Sequence, residues 1–80
     1  MRFGELRSKE IVNLATGDRL GTVGEAELVI DEQSGRILSL VIRERRGLFA
    51  RPHEQTVPWR AVKRIGPDLV ILNLDEHRLY

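Results

Sequence analysis

The sequence predicts an all-β protein: a small six-stranded antiparallel barrel of SH3-like size, with at most one short helical turn. Three observations carry this prediction. Short apolar runs recur along the 80 residues, bounded by Gly, Pro, Asn or Asp, which is the punctuation of strands and turns. No apolar pattern sustains a helical period beyond a single turn. The last third reads Val57-Pro58-Trp59, then Gly66-Pro67-Asp68, then Leu69-Val70-Ile71-Leu72-Asn73-Leu74, that is, a corner, a reversal and a closing apolar strand.

The elements follow in order. Leu6-Arg7-Ser8-Lys9-Glu10-Ile11-Val12-Asn13-Leu14 reads as the first strand, because β-branched Ile11 and Val12 beside Asn13 disfavour a helix. Ala15 to Gly21 is turn chemistry, with Gly17 and Gly21 as turn residues and Asp18 bonding its own backbone. Residues 22–30 alternate, with Ala26, Leu28 and Ile30 on one face and Glu25, Glu27 and Val29 on the other. Gly24 inside that run marks a bend or bulge. Asp31-Glu32-Gln33-Ser34-Gly35-Arg36 makes a hairpin loop. The run 37–42 is apolar on both faces, which fits a central strand or one whose outer face is covered.

Residues 43–55 hold no periodicity but contain Gly47, Pro52 and several charges. That is long for a structureless loop in a small domain. The sheet resumes at Gln55-Thr56-Val57 and breaks at Pro58, which lacks a backbone donor. A helical turn is expected over 59–62 and a short strand at Lys63-Arg64-Ile65. Trp59 beside the Pro corner is expected in the core. The tail from Asp75 to Tyr80 is polar.

Composition bounds the function. Residues 1–80 are read as one domain. The chain has no cysteine and a net charge of +1, with 41% hydrophobic and 31% charged residues. Cysteine nucleophiles, thiolate metal sites and disulfides are thereby excluded. With no signal peptide and no apolar run long enough to span a membrane, the expected location is the cytoplasm and no membrane insertion is expected. Charge is unevenly placed: Glu25, Glu27, Asp31 and Glu32 lie close together, and so do Arg43, Arg45, Arg46 and Arg51.

The residues offer no catalytic set. Ser8, Ser34 and Ser39 are the only serines, and none stands in a Gly-x-Ser-x-Gly elbow. His53 and His77 have no partner at metal-ligand spacing, and Gly17-Asp18-Arg19-Leu20-Gly21 lacks the Lys-Ser/Thr ending of a phosphate loop. No catalytic residue, metal or cofactor is expected, and the chain is not expected to be an enzyme.

The order and spacing of several segments resemble the PRC-barrel proteins. They are Glu5-Leu6-Arg7-Ser8-Lys9-Glu10-Ile11-Val12-Asn13, Asp18-Arg19-Leu20-Gly21, Leu28-Val29-Ile30-Asp31 with Gly35, Val57-Pro58-Trp59, and Lys63-Arg64-Ile65-Gly66-Pro67-Asp68. Within that family the chain is similar to the short stand-alone members of the YlmC/YmxH type, which are associated with sporulation. The resemblance covers roughly residues 3–74. It implies a six-stranded β-barrel like the cytoplasmic barrel of the photosynthetic reaction centre H subunit and the C-terminal domain of the ribosome maturation factor RimM. Those relatives act as contact and assembly modules, so the resemblance carries over no catalytic residue.

The expected function is therefore a non-catalytic interaction module that works through protein–protein contacts. The expected contact residues are Arg43, Arg45, Arg46, Leu48, Phe49 and Arg51, since Leu48-Phe49-Ala50 is an apolar tip flanked by arginines and interfaces favour aromatics and arginine. A homodimer is one form of that contact, through the two-sided apolar run 37–42. The alternative is an RNA- or ribosome-associated accessory protein that binds through loop 43–53, where arginine and one aromatic combine.

Overall fold

The structure, a computed structural model, describes residues 1–44 and 53–74. Among them lie seven strands in two sheets, one short helix and two 3₁₀ turns. The all-β expectation holds, but among the described residues the strands number seven rather than six and form two sheets, with no closed barrel; the helical turn expected near 59–62 is the 3₁₀ turn Trp59–Ala61.

The first sheet has the order β2-β1-β7-β6. It is built from β1 (Glu10–Asn13), β2 (Arg19–Thr22), β6 (Val62–Ile65) and β7 (Leu69–Leu72). The second is a meander, β3-β4-β5, made of β3 (Glu27–Ile30), β4 (Ile37–Glu44) and β5 (His53–Pro58). The run 37–42 thus lies in the central strand of its sheet, one of the two placements expected for it.

Four differences from the expected architecture have physical causes. A helix α1 (Phe3–Arg7) precedes β1, so the first strand begins at Glu10 rather than Leu6. Residues 19–21, read as turn, belong to the strand β2 that pairs with β1. The run 22–30 is not one strand: a 3₁₀ turn at Val23–Glu25 breaks it into the end of β2 and β3. That turn is the bend Gly24 signalled, and it carries the chain from one sheet to the other. Finally, β1 and β7 pair in parallel while the other pairings are antiparallel. No hairpin joins β1 to β7, so their direction is set by packing rather than by a turn.

That parallel register places Ile11 beside Val70 and Asn13 beside Leu72. All four are buried, so one face of the pair enters the core. From the other sheet come Leu40, Ile42 and Val57, with Leu6 of α1, Val23 and Ala61 completing the cluster. Each fully buried aliphatic side chain contributes roughly 1.5–3 kcal/mol. Trp59 is half-buried and packs against this cluster. Pro58 ends β5, as its missing donor requires.

Two buried polar residues hold the ends of the first sheet. Lys9 is 7% exposed and donates from Nζ to Gly66 O at 2.6 Å and Pro67 O at 2.7 Å, tying the β6–β7 reversal to the start of β1. Asn13 is 6% exposed. Its Oδ1 accepts from Ala15 N at 3.2 Å and Leu74 N at 3.3 Å, and its Nδ2 donates to Thr16 Oγ1 at 3.2 Å. Gly24 fits by close approach: a Cβ there would stand 3.0 Å from Arg7 O, so its lack of a side chain lets α1 rest on the 3₁₀ turn.

Candidate functional site

The antiparallel registers of the meander pair Glu27 with Val41 and Arg43 with Glu54. Glu27, Arg43 and Glu54 therefore share the outward face. The Arg43 guanidinium meets Glu27 Oε1 at 2.7 Å and Glu54 Oε1 at 3.2 Å. All three side chains are more than half exposed, so each pair contributes only ~0.2–1 kcal/mol. Arg43 was expected to lead the basic loop. Here it belongs to the sheet, clamped between carboxylates of the two flanking strands. Arg45, Arg46, Leu48, Phe49 and Arg51 lie outside the described residues, as do the side chain of His53 and the whole of His77.

The serines stand apart. Ser8 Oγ donates to Glu5 O at 3.0 Å, at the end of α1. Ser34 Oγ accepts from Arg36 N at 3.2 Å in the β3–β4 loop. Ser39 is buried in β4. Among the described residues no cluster of His, Asp and Glu is arranged to hold a metal ion, and no helix is long and apolar enough to cross a membrane.

A different feature emerges between α1 and β3. Leu28 and Ile30 of β3, with Ala26 just ahead of it, line a cleft of about 420 Å³ together with Val23 and Gly24. Phe3 and Arg7 of α1 form its other wall. Phe3 is 64% and Ile30 51% exposed, so the cleft opens to solvent between them. Small-molecule sites run to ~300–1,000 Å³ but usually carry several convergent polar groups. Here the only charged side chain is that of Arg7, so the lining suits apolar side chains rather than a polar substrate.

β3 is also an outer strand of its sheet, with no strand on its far side among the described residues. Outer strands are ordinarily guarded by charge, proline or brevity. β6 carries Lys63 and Arg64, β5 ends in Pro58, and β2 begins with Arg19. β3 also is short and opens with a charge, Glu27, but its other three residues, Leu28-Val29-Ile30, are apolar. Val29 is 40% exposed, and Leu38, next to the Ile37 that pairs with Ile30, is 52% exposed. Sequence reasoning placed Ile30 in the core because the alternation puts it with Leu28. The signal for the cleft was three successive apolar residues in a strand beside a break at Gly24.

The whole of this arrangement falls within one family match. The family model for the PRC-barrel domain matches residues 1–79. The chain belongs to the PRC-barrel family. The expected family resemblance is thereby confirmed at nearly full length. This PRC-barrel chain is 41% identical over 78 residues to the protein YmxH of Bacillus subtilis (strain 168), covering 95% of this chain and 92% of that one. It is 29% identical over 77 residues to the "Probable sporulation protein YlmC" of the same organism, covering 92% and 93%. A Clostridium acetobutylicum protein is 25% identical over 72 residues, covering 88% and 80%.

Proposed function

We propose that this PRC-barrel chain is a non-catalytic contact module that acts in the cytoplasm by binding another protein, and that the process it serves is sporulation. The observation that supports a contact role is the open apolar cleft beside the outer strand β3. Exposed apolar surface next to an unpaired strand favours an extended segment of protein: the backbone groups of the edge take hydrogen bonds, and alternate side chains enter the cleft. The name of the relative YlmC supports the process.

The test is a photo-crosslinking residue at position 30 of the full chain, with irradiation in sporulating cells. Protein adducts above those formed by the same probe at exposed Arg36, on the far side of the hairpin loop, are expected. The reading is overturned if position 30 yields no such adduct. Retention on RNA that falls with salt and is abolished by Arg45→Ala/Arg46→Ala would instead favour the alternative, an RNA- or ribosome-associated role through loop 43–53.

A further inference from the structure

We propose that the occupant of the β3 edge and its cleft is segment 45–51 of a second copy of this chain, given and received reciprocally across a twofold axis. The proposal rests on the contact reading above and names its partner.

The first argument is complementarity. The acceptor reads Glu25-Ala26-Glu27-Leu28-Val29-Ile30-Asp31-Glu32, an apolar centre between acidic ends. The donor reads Arg45-Arg46-Gly47-Leu48-Phe49-Ala50-Arg51, an apolar centre between basic ends. Cations stand near the acceptor too. Arg43 is engaged by Glu27 and Glu54, Arg36 sits across the β3–β4 loop from Asp31, and Arg7 lines the cleft. Glu25 accepts from the Thr22 hydroxyl at 3.1 Å, and Asp31 accepts from Gln33 N; neither contact is with a cation. A second β3 in the same place would set acids against acids, so a β3–β3 pairing is disfavoured.

The second argument is reach. Within one chain, a segment leaving β4 would have to cross β3, run along its free edge, and return past β3 and β4 to β5. At ordinary strand spacing and rise that path is about 33 Å. The nine peptide links from Glu44 to His53 extend to about 31 Å when fully taut. The two lengths are nearly equal, so filling its own chain's site would leave the segment no slack.

The third argument is placement. The donor segment springs from the ends of β4 and β5, beside the Glu27 end of β3, as the Glu27–Arg43–Glu54 contacts show. Donor and acceptor lie side by side on one chain, so two copies can satisfy each other and the association closes at two.

The experiment measures the mass of the full chain by light scattering and sedimentation over a wide concentration range. The wild type is expected to dimerise. Ile30→Asp spoils the acceptor and Phe49→Asp spoils the donor, and each is expected to weaken dimerisation at least tenfold. An equimolar mixture of the two variants retains one good donor–acceptor pair and is expected to recover a heterodimer that neither variant forms alone. As a check independent of those variants' folding, a synthetic peptide of residues 44–53 titrated into the wild-type chain below its dimerisation constant should shift the NMR signals of Gly24, Leu28 and Ile30. A monomeric wild type, a dimer indifferent to both substitutions, a mixture that stays monomeric, or a peptide that shifts none of those signals would each overturn the exchange. A monomeric wild type whose position-30 probe captures a different protein overturns only the self-partner; a monomer with no adduct overturns the contact reading as well.

Discussion

The Lys9 ammonium lies 2.6 Å from the carbonyl oxygen of Gly66, 57 positions further along the chain. It also donates to Pro67 O at 2.7 Å, and Lys9 is 7% exposed. A lysine so placed acts as a clasp, satisfying carbonyls that the tight reversal leaves without strand partners. Replacing it by methionine keeps the buried stem but removes the donor. Lys9→Met is expected to cost about 2 kcal/mol, the scale of losing charge-assisted hydrogen bonds and leaving acceptors partly buried. Urea unfolding measures it, and a loss below about 0.5 kcal/mol would show the clasp to be dispensable.

Asn13 does comparable work at the opposite end of β1. Its carbonyl oxygen caps Ala15 N and Leu74 N while its amide holds Thr16. Asn13→Ala is expected to destabilise the chain by about 2 kcal/mol. Amide hydrogen exchange at Ala15 and Leu74 should speed up more than at Ile11, since those two lose their acceptor.

Arg43 is expected to behave as a surface cross-strand residue. Arg43→Ala should change stability by less than about 1 kcal/mol, and a double-mutant cycle with Glu27→Ala should give a coupling of a few tenths of a kcal/mol that shrinks in high salt. A coupling that persists unchanged in 1 M salt would contradict the exposed geometry.

Asp31 supplies a pH dependence. The Gln33 backbone N–H, at 3.0 Å from Oδ1, and the Ser34 hydroxyl hold its carboxyl below its ordinary value of 3.8. A folded-state value below the unfolded one contributes stability that is complete above the unfolded value and is lost as pH falls through the folded value. The carboxyl carbon of Asp31, followed by NMR, should therefore titrate below 3.8, and removing the Ser34 hydroxyl with Ser34→Ala should move the midpoint upward. Asp31 lies at the start of the β3–β4 surface loop, so the effect on total stability is small.

Much of the fold was legible where the chemistry is local. Gly17, Gly21 and Gly35 adopt positive φ, Pro58 ends its strand, and the Gly66-Pro67-Asp68 reversal lies where those residues put it. Each is decided within a few residues of sequence. What was missed depends on partners far away. Lys9 reads as a surface residue until the Gly66 and Pro67 carbonyls are brought to it. Helix α1 is five residues long with one buried side chain, Leu6, and no period of that length separates it from a strand. The alternation that placed Ile30 in the core is real, but the edge position of β3 leaves the residue in solvent. Of the expected contact residues only Arg43 falls in the described structure, and the loop reading failed for it because Glu27 and Glu54 come from other strands.

The parallel pairing of β1 with β7 bears on how the chain folds. The three-stranded meander β3-β4-β5 joins neighbours in sequence, so its pairings close over short separations. β1, although it precedes the meander in sequence, gains its parallel partner only when residues 69–72 join it. Until then Ile11 lacks Val70 and Asn13 lacks both Leu72 and the Leu74 amide. The β1–β7 pairing is thus the long-range closure of the fold, and contacts of that kind form only after the entropy of a long loop has been overcome.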